Sequence, residues 1–236
     1  MKQVGKIKEI TRYPVKSFAG EYLESCKIDT YGIVGDRFYS FYDETKNDWN
    51  RFVTARTIPA MLSYKANFID NDVRITSPDG RTFSWNEELL QEIQRYSSKV
   101  ITMSEHKSPH PDNPNLLSVD AASILLITDS TLHKLETMWG KKLDSRRFRA
   151  NLLVCLDDSA MSESDWIGKR IFVGTTELMV DCFCERCSMT TIDPDTLERD
   201  ASLLKKINKE MDLHFGVYAS VIKTGEITVQ DKVYIE

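Results

Sequence analysis

No apolar run in the 236-residue sequence approaches the ~20 residues that a membrane-spanning helix needs, so no membrane partner is expected. The first ten residues, Met1 to Ile10, alternate charged and apolar side chains like a strand and do not resemble a signal peptide. There is no excess of positive charge: 31 Lys and Arg face 36 Asp and Glu, for a net charge of −5. That is a poor footprint for non-specific nucleic-acid binding, although it leaves room for local basic pockets. The sequence contains no GxGxxG fingerprint and no Walker loop, which removes support for the common nucleotide-binding folds. It also has no Gly-x-Ser-x-Gly elbow. Five cysteines, three of them clustered, do not make a disulfide framework; reduced thiols in a cytoplasmic protein fit better.

What is present is a soluble composition, 41% hydrophobic and 28% charged, at a length for one large or two small domains. Short alternating runs dominate. Val4 to Ile10, Leu23 to Ile28, Asp36 to Tyr42, Phe52 to Arg56, Leu62 to Ile69, Val73 to Thr76 and Arg81 to Phe83 read as strands, with Pro78-Asp79-Gly80 as a hairpin turn. Asn86 caps a helix with Leu89, Leu90 and Ile93 on its apolar stripe. In the second half, Ile124 to Ile127, Leu152 to Leu156, Trp166 to Val173, Leu178 to Phe183 and three runs after Val217 read as strands. Helices are expected after Asp129 or Ser130, ending at Gly140, and over Asp200 to Met211. Residues 104–120 hold three of the seven prolines and two of the four histidines, His106 and His110, and read as a connection or a loop flanking a site. The expectation is a mainly β protein with a few helices: a β-rich domain over 1–103, a connecting loop over 104–117 and a second β-rich domain over 118–236.

Chemistry concentrates in Asp181-Cys-Phe-Cys-Glu-Arg-Cys187, where a strand delivers cysteines to a polar loop. A thiolate is the nucleophilic and soft-metal-binding form of cysteine, and a neighbouring guanidinium such as Arg186 favours it. Strand alternation places Cys182 and Cys184 on one face as ordinary buried thiols, with Cys187 beyond the strand end. A zinc site would need a fourth ligand that no usual spacing supplies. The run Arg146-Arg-Phe-Arg149 is a solvated charge run or an anion site, since guanidinium matches phosphate bidentately. Lys16 and Ser17 follow Pro14 in a bend. These residues allow a soft metal on one thiolate with an anionic organic group held by cations; ordinary surface roles remain open.

Five segments carry a resemblance that covers almost the whole chain: Tyr13-Pro-Val-Lys-Ser17, Gly35-Asp-Arg-Phe38, Val53-Thr-Ala-Arg56, Phe148-Arg-Ala-Asn151 and Arg186-Cys-Ser-Met-Thr-Thr-Ile-Asp-Pro-Asp-Thr196. The sequence resembles the MOSC-domain proteins that carry an N-terminal MOSC β-barrel domain, the amidoxime-reducing components among them. The resemblance implies an N-terminal β-barrel-like domain followed by a MOSC-type β-barrel domain. It implies a molybdenum cofactor (Mo-molybdopterin) ligated through the metal by Cys187. It places cofactor contacts on Lys16, Ser17, Arg37, Arg149, Asn151 and Arg186, and on Tyr218 near the end. Where the family offers a Thr-Ser pair before the strand at Ile124, this chain offers Ser123 alone.

The function implied is reduction of N-hydroxylated compounds (hydroxylamines, amidoximes, N-hydroxylated bases) by N–O bond cleavage. The alternatives are a non-catalytic carrier of the cofactor or its sulfur, and a structural β protein with zinc at the cysteine cluster. The mitochondrial relatives carry a targeting and anchoring segment before the first strand, and some bacterial ones a fused iron–sulfur domain after the last. Neither is read in Met1 to Glu236, so electrons are expected from a separate donor protein.

Overall fold

The computed structural model describes residues 1–46, 48–104, 122–158 and 160–236. Seven strands close into a barrel: β1 (Lys2–Arg12), β2 (Ile124–Thr128), β3 (Leu152–Leu156), β4 (Arg170–Val173), β5 (Thr176–Glu185), β6 (His214–Lys223) and β7 (Lys232–Ile235). Around the barrel the order is β3-β2-β6-β5-β4-β7-β1, and β1 pairs with β3 to close it. Full closure leaves no strand edge among the seven.

The β2–β3 pair is parallel and its neighbours are antiparallel. A parallel pair needs a crossover, and α2 (Asp129–Trp139) lies within it, after α1 (Glu87–Gln94) in the chain. The helix lies over one face of the pair while the barrel core fills the other, so all five residues of β2 are buried. Ile124, Leu126 and Val154 join the barrel core with Val4, Ile7 and Trp166. The alternate residues Leu125, Ile127 and Leu153 pack with Leu135 of α2 and Leu203 and Ile207 of α3 (Ala201–Met211). Where β1 crosses β3, a Cβ on Gly5 would lie 2.2 Å from the Cys155 carbonyl oxygen, so the crossing needs glycine.

A second core gathers residues from Val15 to Ile101, among them Phe18, Phe41, Tyr64 and Ile75, under α1 and two three-stranded sheets. The helix signals hold: Asn86 caps α1 by accepting from Leu89 N, and Gly140 ends α2 with φ 74°. The cap of α2 is Thr128, one residue before the expected Asp129 or Ser130.

The strand pairing cuts across the expected division into 1–103 and 118–236. β1 closes the barrel of the second half, and Ser25–Asp29 pairs with Gly225–Thr228. Backbone hydrogen bonding decides this, and it leaves no trace in composition. The expected connection over 104–117, with His106 and His110, lies outside the described residues except at Ser104, the last residue of a short strand paired to Ser40.

Candidate functional site

Three bends from distant parts of the chain meet a fourth between the two cores. Val15 O accepts from Phe18 N, closing a turn whose third residue, Ser17, has φ 70°. That geometry requires positive φ at the third position. Arg37, expected near the start of a strand, sits in the turn before it at φ 52°; the strand itself spans only Ser40–Tyr42. Arg149 ends the 3-10 turn Ser145–Phe148 at φ 55°. Left-handed backbone costs a non-glycine residue roughly 1–2 kcal/mol, so surrounding contacts must hold each bend. The fourth segment is the loop after β5, where Arg186 precedes Cys187.

Those contacts centre on Tyr13. Its backbone N–H donates to Asp36 Oδ1 at 2.7 Å, and its hydroxyl donates to Ala150 O at 3.3 Å. The Arg149 guanidinium lies 4.2 Å from the ring centroid and that of Arg37 lies 5.0 Å from it. Both are cation–π distances. Burial pushes the Tyr13 phenol up to about 12, against the opposing pull of Arg149 and Arg37, so the ring stays neutral between two cations. Arg37 ion-pairs with Asp36 and donates to Arg149 O at 3.2 Å, while Arg149 donates to Phe18 O at 2.7 Å. Arg37 thus pins the Arg149 bend, and Arg149 pins the Ser17 bend.

The segments enclose a cavity of about 220 Å³. Lys16, Ser17, Arg37, Arg149, Arg186, Cys187 and Tyr218 line it, as the sequence predicts for a shared site. Arg56 adds a fifth cation, and among the described residues Glu185 is the one carboxylate in the lining. Five cations line it against one carboxylate among the described residues, with Arg37 already paired to the buried Asp36, so the lining carries an excess of positive charge. Cys187 is exposed. Its loop is held by Arg147, which donates to Thr191 O at 3.2 Å and to Asp193 Oδ2 at 2.6 Å, and by Ile192, which is buried in the second core.

The arginine run therefore divides three ways. Arg149 faces the cavity, Arg147 anchors the cysteine loop, and Arg146 pairs with Asp144 and Asp195 at the surface.

Two predicted contacts stand behind the cavity wall. Asn151 is 1% exposed; its Oδ1 accepts from Leu125 N at 3.1 Å and from Arg37 Nη1 at 3.4 Å, and its Nδ2 donates to Thr11 O at 3.2 Å. It ties β1 to β2 and braces Arg37. Ser123 is buried beneath Gly32, and its Oγ has no partner among the described residues.

The cysteine cluster also differs from strand alternation. Register shifts between Val180 and Cys182 and between Phe183 and Glu185 turn Cys182 outward, while Cys184 alone is buried. The thiol that the Arg186 guanidinium touches is Cys184, at 2.8 Å, and its Nη2 donates to Phe148 O at 2.7 Å. Among the described residues no three His, Cys, Asp or Glu side chains converge on a metal-sized site.

Sequence reasoning left out Thr54, Arg56, Phe148, Cys184 and Glu185 as lining residues. Thr54 and Arg56 stand in the quoted Val53 to Arg56 segment, a signal that was available. Among the described residues no helix is long and apolar enough to cross a membrane.

Comparison with known proteins identifies the family and agrees with the fold. The MOSC domain family matches residues 113–234, and the MOSC N-terminal beta barrel domain family matches residues 4–122. The chain is 27% identical over 289 residues to the mitochondrial amidoxime reducing component 2 of Homo sapiens, covering 99% of this chain and 84% of that protein. It is 25% identical over 290 residues to the component 2 of Bos taurus, with coverage of 99% and 84%. A 77-residue stretch, 32% of this chain and 10% of the relative, is 40% identical to a molybdenum cofactor sulfurase of Anopheles gambiae. Among solved structures, the YUAD protein from Bacillus subtilis shares the fold at TM-score 0.53 and 13% identity, covering 100% of this chain and 97% of that one.

Proposed function

For a chain that belongs to the MOSC-domain family and carries its N-terminal beta barrel domain, we propose that the cavity at Cys187 binds a molybdenum cofactor and that the loaded protein reduces N-hydroxylated compounds. The observation that carries this reading is the meeting of one exposed thiol with five cations from separate segments. The donor set fits the group. Molybdopterin is an anionic phosphate ester, and Arg149, Arg37 and Lys16 would hold such an anion through charge-assisted bonds worth roughly 1.5–3 kcal/mol each. Ser17 offers a hydroxyl beside them, and Cys187 offers the single soft ligand suited to molybdenum. The strained bends at Ser17, Arg37 and Arg149 place these groups before any ligand arrives, so little ordering cost remains for binding.

When bound, the cofactor supplies a metal that exchanges two electrons. The overall reaction takes an N-hydroxylated compound, two electrons and two protons to the amine or amidine and water, breaking the N–O bond. A separate electron-donor protein supplies the electrons. Glu185, in the cavity wall, would accept hydrogen bonds from N–H or O–H groups of the substrate. The relatives named for amidoxime reduction align over nearly the whole chain, which favours an enzyme over a carrier of cofactor or sulfur.

The deciding experiment incubates reduced, cofactor-loaded protein with a hydroxylamine and follows amine formation. Stoichiometric or catalytic amine supports the reductase. Full cofactor loading without amine would instead establish the carrier.

A further inference from the structure

A second cavity, of about 260 Å³, opens on the other face of β5 and β6. Phe183 lines it while Cys184 lines the first; Val217 lines it while Tyr218 lines the first. At its base sits Glu163, 3% exposed, in the 3-10 turn Glu163–Trp166. Glu163 Oε2 accepts from the hydroxyls of Thr128 and Thr131, each at 2.6 Å, and from Ser162 Oγ at 3.3 Å. Its other oxygen, Oε1, accepts nothing among the described residues and is left to the cavity. That oxygen is not sealed in the core; it opens to the cavity, where water or a ligand reaches it.

Above it, the Phe183 ring is 40% exposed and stacks on His214 with centroids 5.0 Å apart and planes 26° apart. Exposed aromatic faces attract flat or cationic partners. Glu210 stands in the same lining and shares ion pairs with Lys206 and Lys209, and Lys134 is exposed. The base of the cavity therefore presents an open carboxylate oxygen and the mouth an aromatic platform.

We propose that this cavity is a second binding site, for a small organic cation with N–H donors on a flat or apolar body: an amidine, guanidine or amine. The N–H group would donate to Glu163 Oε1 and the body would lie against Phe183. The first cavity, with its five cations, repels the same ligand, so this site stands independently of the cofactor reading.

The test titrates benzamidine into the full chain by calorimetry, with neutral benzamide as the matched control. The expected result is saturable binding at or below roughly 1 mM, with benzamide at least about tenfold weaker because it lacks the charge. Glu163→Gln keeps an acceptor for the threonine hydroxyls but removes the carboxylate, and should weaken benzamidine about tenfold or more. Phe183→Ala removes an exposed ring and should weaken it roughly threefold or more. If Glu163→Gln fails to fold, the Phe183→Ala and benzamide arms decide. Absence of saturation by about 10 mM, or equal binding of benzamidine and benzamide, would overturn the proposal.

Discussion

The two cavities share the walls β5 and β6, are of similar size, and differ in charge. The first, about 220 Å³, turns five cations and a thiol toward its ligand; the second, about 260 Å³, turns a buried carboxylate and an aromatic ring. Neighbouring residues of the two strands divide between them: Cys184 and Tyr218 line the first, Phe183 and Val217 the second. The lesson is that adjacent residues in one motif serve opposite environments. A cysteine's position along such a strand predicts its chemistry only when the register is known. The three cysteines of the cluster show it: Cys187 is exposed in the cationic cavity, Cys184 is buried against Arg186, and Cys182 is turned out to solvent by register shifts.

This contrast can be broken residue by residue. The largest effect belongs to Cys187→Ser, which should bring turnover of an N-hydroxylated substrate to background, since a hydroxyl is a poor ligand for a soft metal. Turnover with an artificial donor checks it. Next, Arg149→Met keeps the stem and removes the charge. Loss of one charge-assisted bond predicts cofactor retention weakened roughly tenfold to a hundredfold, measured by equilibrium dialysis. Cys184→Ala leaves Arg186 Nη1 without its sulfur acceptor in a buried site, and should cost about 1–3 kcal/mol in chemical denaturation.

A pH titration sharpens the same picture at Tyr13. Burial raises the phenol from its ordinary value of 10.0 to about 12, so the folded state holds the proton more tightly than the unfolded chain. The stability this supplies is intact below about pH 10 and is lost as pH rises through about 12. Tyr13→Phe should flatten that alkaline loss in urea melts across the window. The smallest effect is expected at Cys182→Ser: the residue is exposed, and surface changes usually stay within about 0.5 kcal/mol.

Much of this was legible in the sequence. Alternating runs predicted a β-rich protein, and cap residues such as Asn86, Gly140 and Asp200 marked the helices. The five quoted segments named Lys16, Ser17, Arg37, Arg149, Arg186 and Cys187, which converge although up to 171 positions separate them (187 − 16). What was not legible depends on backbone pairing. Nothing in Val4 to Ile10 says that this strand closes a barrel built by the second half of the chain. Strand alternation buried Cys182, and register shifts in β5 expose it. Asn151, a cofactor contact by the resemblance, braces Arg37 from behind the cavity wall, because a side-chain amide can satisfy two strands and a guanidinium at once. Glu163 gave no signal at all, since a lone glutamate between Ser162 and Ser164 looks like surface.

Under the proposed function, Cys187 is the one protein ligand to molybdenum in a cation-lined cavity. X-ray absorption at the molybdenum edge tests it most directly, on the loaded protein beside its Cys187→Ser and Cys184→Ser variants. The expected result is that Cys187→Ser loses one Mo–S scatterer while Cys184→Ser keeps the full sulfur shell. An unchanged shell in Cys187→Ser, or its loss in Cys184→Ser, would contradict it.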